Sequence, residues 1–161
     1  MSAAVRQVIL AGMIFVAFVV QTSISGSAVI LGAKPNLGLC MLLTGCLFVD
    51  ANGGAALGFF LGLLEGSFVS FYVGSFIVTR TLAGYSVGLL EQRIYRENIL
   101  VALSTVLIGT AMVELCFFLF APQAQVTRWA IRASGESLCN GALAIPLFFV
   151  VRRVVGSRAP K

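Results

Sequence analysis

Between Ile99 and Phe120 the chain carries one charged residue, Glu114, in an otherwise apolar run. A helix needs about that much chain to cross a hydrocarbon core ~30 Å thick at ~1.5 Å per residue. Lipid offers backbone amides no hydrogen bonds, so a segment of this kind spans as a helix. Further apolar runs cover Val8–Ile24, Leu37–Val49, Gly53–Leu64, Phe68–Leu90 and Leu138–Val151. With 59% hydrophobic and 11% charged residues and a mean hydropathy of +1.01, the chain has too little charge to coat a soluble domain. It reads as all-α, a polytopic membrane helix bundle of about six spans, with one integral membrane domain over residues 1–161. Arg6 ahead of the first run resembles the start of a signal peptide. No soluble mature domain follows a small-x-small site, so that run reads as a retained membrane helix.

The second and third runs are short. Each reaches only roughly 20 Å as a helix, which suits either two tight spans or one re-entrant hairpin around Asp50-Ala51-Asn52. Pro35 is placed to open the second helix, where its missing N–H costs nothing. Gly54, Gly58 and Gly62 recur every fourth residue in GGAALGFFLGLLEG and form a ridge that lets another helix, internal or from a partner, come close. The stretch Ala121–Glu136 fits a short helix lying in the interface, with Trp129 at headgroup depth, or a polar loop. Pro146 removes a backbone bond from the last span and is expected to kink it.

The basic residues set an orientation. Six crossings place Arg6, Arg93, Arg96, Arg152, Arg153, Arg158 and Lys161 on one side and Lys34, Arg128 and Arg132 on the other. The excess marks the cytoplasmic face and puts both termini there.

One charge resists this simple layout. Arg80 lies mid-span in GSFIVTRTLAGYSVGLL, roughly 16 Å from the cytoplasmic edge of its helix. An ion there costs at least ~2.5–3.5 kcal/mol, so it needs a partner or a route by which to snorkel to water. Glu114 is the first candidate partner, at roughly 22 Å from the same edge on an antiparallel helix. Glu65 is the second and Asp50 the third. Asn140 is a further buried polar group, suited to bonding across helices.

Little chemistry is on offer. The sequence has no His, and Cys40, Cys46, Cys116 and Cys139 form no CxxC pair, which argues against a metal site and a disulfide framework. There is no nucleophile beside a base and no phosphate-binding glycine loop. No catalytic, cofactor-binding or metal-binding residue is therefore assigned. The net charge of +5 resides at membrane edges, so it does not point to nucleic acid.

From about Lys34 to Arg153 the chain resembles the rod shape-determining protein MreD family. The likeness is carried by Lys34-Pro35-Asn36-Leu37, GGAALGFFLGLLEG, the basic turn after LAGYSVGLL, the Glu in TAMVELCFFLF, and SLCNGALAIPLFFVVRR. The last is the most specific, since Asn140, Pro146 and Arg152-Arg153 match the family's closing Asn…Pro…basic pattern. The family often has an Asp and then a Pro-Leu-Gly turn after the glycine-rich helix; here Glu65-Gly66-Ser67 precedes Val73-Gly74 without the proline.

The resemblance implies a non-enzymatic subunit of the bacterial cell-elongation (rod shape, peptidoglycan synthesis) machinery, with no cofactor, in the inner membrane. It implies binding to MreC, a bitopic membrane protein, and through the complex to RodA and a class B penicillin-binding protein. It also implies a fold similar to the substrate-binding subunits of energy-coupling-factor transporters. The alternative function is therefore a substrate-binding membrane subunit of a vitamin transporter, with a polar pocket near Glu65, Glu114 or Trp129. The structural or partner-binding candidates are Arg80, Glu114, Glu65, Asn140, Pro146, Gly54, Gly58 and Gly62.

Overall fold

The computed structural model describes residues 2–24, 34–69, 72–90, 98–122 and 124–155. It contains six helices: α1 (Ala3–Ile24), α2 (Leu37–Cys46), α3 (Ala51–Val69), α4 (Val73–Leu90), α5 (Ile99–Phe120) and α6 (Val126–Val155). No strand occurs among the described residues. All except α2 are long and apolar enough to cross a membrane. The protein is a polytopic helical membrane bundle.

The helices alternate in direction. Arg6 on α1 donates to the carbonyl of Phe48, and the carbonyl of Asp50 lies against Gly88 near the end of α4. These contacts define one end of the bundle, here termed basal. At the other, distal end the ring of Phe18 meets Phe68, Phe76 meets Phe117, and Phe118 meets Trp129. Since α6 starts at the distal end and runs back, both described chain ends fall at the basal end. Arg93, Arg96, Arg158 and Lys161, which weigh in the orientation, lie outside the described residues.

Helix α2 is the centre of the fold. Gly38 through Cys46 are all buried, so α2 meets protein on every side and lipid on none. Its 10 residues span ~15 Å. A helix sheathed this way need not match the bilayer thickness. Asn36, and not Pro35, caps it: the Asn36 side chain accepts from the Leu39 amide at 2.8 Å. Pro35 stands one residue outside the helix. From Asn36 in the distal half, α2 runs to Asp50 near the basal end and α3 returns.

Two other expectations need correction. The third run is not short: α3 has 19 residues and continues through Glu65-Gly66-Ser67 to Val69. Its polar segment stays helical because Glu65 is paired inside the bundle (below). Ala121–Glu136 is neither a separate interface helix nor a loop. The chain enters α6 at Val126 and runs on for 30 residues, through Pro146, to Val155. The Trp129 ring packs on Phe118 with centroids 4.5 Å apart, and its Nε1 is buried, not held out to headgroups.

The glycine ridge seats an internal neighbour. A Cβ at Gly54 would strike the carbonyl of Gly84, and one at Gly58 the carbonyl of Arg80. At Gly62 it would lie 2.6 Å from the Ile77 Cα, and at Gly66 2.9 Å from the Val73 Cα. Gly84 and Gly88 on α4 answer in kind. Backbone therefore lies on backbone along nearly the whole of α3 and α4, a contact only glycine permits.

Candidate functional site

Most of the buried polar residues of the bundle converge in its distal half. Arg80 points from α4 across the glycine seam to α3, where its Nε donates to Glu65 Oε2 at 2.8 Å. Both side chains are buried, at 3% and 5% exposure. Thr79 Oγ1 lies 3.3 Å from Arg80 Nη1, and the guanidinium carbon sits 5.1 Å from the centre of the Phe76 ring. The ring face adds a cation–π attraction that a desolvated charge feels strongly. Arg80 is thus paired, not snorkelling.

The sequence ranked Glu114 first as the partner of Arg80, and the structure corrects this. Glu114 instead accepts from Arg132 Nη2 of α6 at 3.1 Å. The ranking compared heights along helices, and by height both acids were eligible. What decides is direction: the glycine seam brings α3 against α4, so Glu65 is the acid that faces Arg80. Asp50 stands exposed near the basal end.

The second oxygen of Glu65 extends the network. Asn36 Nδ2 donates to Glu65 Oε1 at 2.8 Å, and the Asn36 amide donates to Asn140 Oδ1 at 2.8 Å. Asn140 Nδ2 then donates to Thr110 Oγ1 at 3.2 Å, and the Cys40 thiol approaches the Asn140 carbonyl at 3.6 Å. In the first turn of α2, the Gly38 amide donates to Gln21 Oε1 of α1 at 3.1 Å. The Asn36 side chain therefore caps α2 with its oxygen and reaches α3 with its nitrogen. Asn140, 0% exposed, ties α6 to both α2 and α5. Bonds from this one region touch all six helices.

Glu136, one helical turn before Asn140, is 7% exposed and lies among the charges of Glu114, Arg80, Arg132 and Glu65. Three buried carboxylates and the buried Arg80 guanidinium therefore share one region of low dielectric, with Arg132, 43% exposed, at its edge. Breaking a pair there by removing one partner costs about 3–5 kcal/mol, whereas a well-packed apolar replacement of both can be neutral. Such a network fixes how helices register more than it adds net stability.

The glycine candidates Gly54, Gly58 and Gly62 lie along the seam that delivers Arg80, and Arg80, Glu65 and Asn140 are brought into one network. Glu114 joins through Arg132. Pro146 lies further along α6, toward the basal end. Sequence reasoning missed Asn36, Gln21, Thr110, Arg132 and Glu136 as members. Asn36 carried a usable signal, a capping residue directly before an apolar run. No group of three or more His, Cys, Asp or Glu able to hold a metal ion occurs among the described residues. The chain matches no family model, no curated protein and no solved structure.

Proposed function

We propose that this chain is a non-enzymatic subunit of the bacterial cell-elongation machinery, held in the inner membrane with both termini in the cytoplasm. It binds the bitopic protein MreC and, through that complex, helps regulate RodA and a class B penicillin-binding protein. The observation that carries this reading is how the charged side chains inside the bundle are used. Arg80 is taken up by Glu65 and Glu114 by Arg132. Groups so engaged hold helices in register, which is what a docking scaffold requires of its interior. The closing Asn140…Pro146…Arg152-Arg153 pattern supplies the link to this particular machinery.

Affinity capture of the full chain in mild detergent should recover a bitopic membrane protein with one apolar helix and an extracytoplasmic domain. Recovery of transporter ATPases alone would refute the reading.

One observation favours a second reading, a vitamin-binding transporter subunit. The acids Glu65, Glu114 and Glu136 gather at the end of the bundle opposite the chain termini, where such a subunit would admit its ligand. A small molecule retained through purification and identified by mass spectrometry would select that alternative.

A further inference from the structure

A groove of about 510 Å³ runs between α4 and α5. Its floor is Leu43 of α2 with Val87 and Val113, all buried. Small side chains such as Ser86 and Thr105, with Gly109, line its walls, and no lining residue carries a charge. Leu82, Ile108 and Met112 stand at its edges with 49%, 64% and 55% exposure, so it opens sideways, away from the bundle. Two of its hydroxyls are turned onto their own helices: Thr79 donates to the Ser75 carbonyl at 2.7 Å, and Ser104 to the Leu100 carbonyl at 2.8 Å.

Length, closure and width narrow the choice of occupant. The α5 wall runs from Ser104 to Cys116, ~18 Å at ~1.5 Å per residue. The α4 wall begins at Leu90, the last residue of its helix at the basal end. At the distal end the gap is shut by Phe76 against Phe117, with centroids 4.8 Å apart, and by Tyr72 against Phe117 at 6.5 Å. The groove is thus about as long as one leaflet is thick, half of a ~30 Å core, and it is blind at the bilayer middle or just past it. A helix with its side chains is ~10 Å across and cannot enter between two helices that themselves touch. A hydrocarbon chain can.

We propose that the α4–α5 groove is a binding slot for a single acyl chain of a glycerophospholipid from the leaflet at the basal end of the bundle. The uncharged lining matches an uncharged chain, and the blind distal end limits it to one leaflet. The inference is independent of the proposed function.

The test uses the full chain in nanodiscs of phosphatidylethanolamine and phosphatidylglycerol, doped with phosphatidylglycerol bearing a mid-chain diazirine. After irradiation, labelled peptides are mapped, and lipid retained in mild detergent is counted by native mass spectrometry. The expected result is one retained phospholipid per chain and label concentrated on Leu82–Leu90 and Ser104–Cys116. Ser86→Phe, which fills the slot from an exposed wall position, should reduce both at least fivefold while label on Val16 and Val20 of α1 stays unchanged. Thr105→Phe provides the same test from the other wall if Ser86→Phe does not fold. Two results would each overturn the slot: label no denser there than on α1, or label and retained lipid indifferent to both variants.

Discussion

The two sides of α4 solve opposite problems. Toward α3, it presents Gly84 and Gly88 to Gly54, Gly58 and Gly62, and the backbones meet. Toward α5, it presents Ala83, Ser86 and Leu90, and a groove remains. Small residues are present on both sides, so smallness alone does not close an interface. The difference lies in matching. On the α3 side glycines face backbone at four-residue intervals on both helices; on the α5 side Ala83 and Ser86 line one wall of the groove and Ile108 and Met112 the other, with no such backbone match. The tight side also carries the buried ion. Arg80 can reach Glu65 because nothing larger than hydrogen stands between their helices at Gly58 and Gly62.

This contrast can be broken from either side, and the largest effect should come from the seam. Gly58→Leu drives a side chain into the Arg80 carbonyl. It should cost on the order of 5 kcal/mol and abolish folded protein in membranes, measured as detergent-extractable monodisperse yield. Arg80→Leu leaves Glu65 buried without its ion and should cost about 3 kcal/mol, read from the thermal midpoint of the purified chain. Asn140→Leu strands the Asn36 amide and the Thr110 hydroxyl and should cost roughly 1–3 kcal/mol by the same measurement. Ser86→Leu, on the groove side, should change stability by no more than about 0.5 kcal/mol. If Ser86→Leu proved as damaging as Gly58→Leu, the two sides of α4 would not differ in the way described.

Much of the fold was legible because lipid leaves a chain few options. The apolar runs and the meaning of Gly54, Gly58 and Gly62 as a close-packing ridge followed from solvation and from side-chain size. What the residues did not reveal was rotation about the helix axis. Height along a helix follows from counting, and it made Glu114 a good partner for Arg80. Which face each acid presents depends on α3 packing against α4, a tertiary fact. Helix ends were misjudged for a related reason. Glu65-Gly66-Ser67 and Ala121–Glu136 look like departures from the spans when their polarity is assumed to meet water. Inside the bundle Glu65 finds Arg80, and at its edge the exposed Arg132 finds the buried Glu114, with α3 and α6 continuing through both segments. The burial of α2 could not be anticipated either, because a run too short to span looks the same whether lipid or protein surrounds it.

The central claim is that the buried Arg80 is spent on Glu65 to set the shape of the bundle. A double-mutant cycle on Arg80 and Glu65 tests this most directly, with Glu114 as the control. The pairing predicts that Arg80→Leu with Glu65→Gln restores most of the stability lost in Arg80→Leu alone. Arg80→Leu with Glu114→Gln should restore none, since that change instead leaves Arg132 without its acceptor. Rescue by Glu114→Gln, or no rescue by Glu65→Gln, would contradict it.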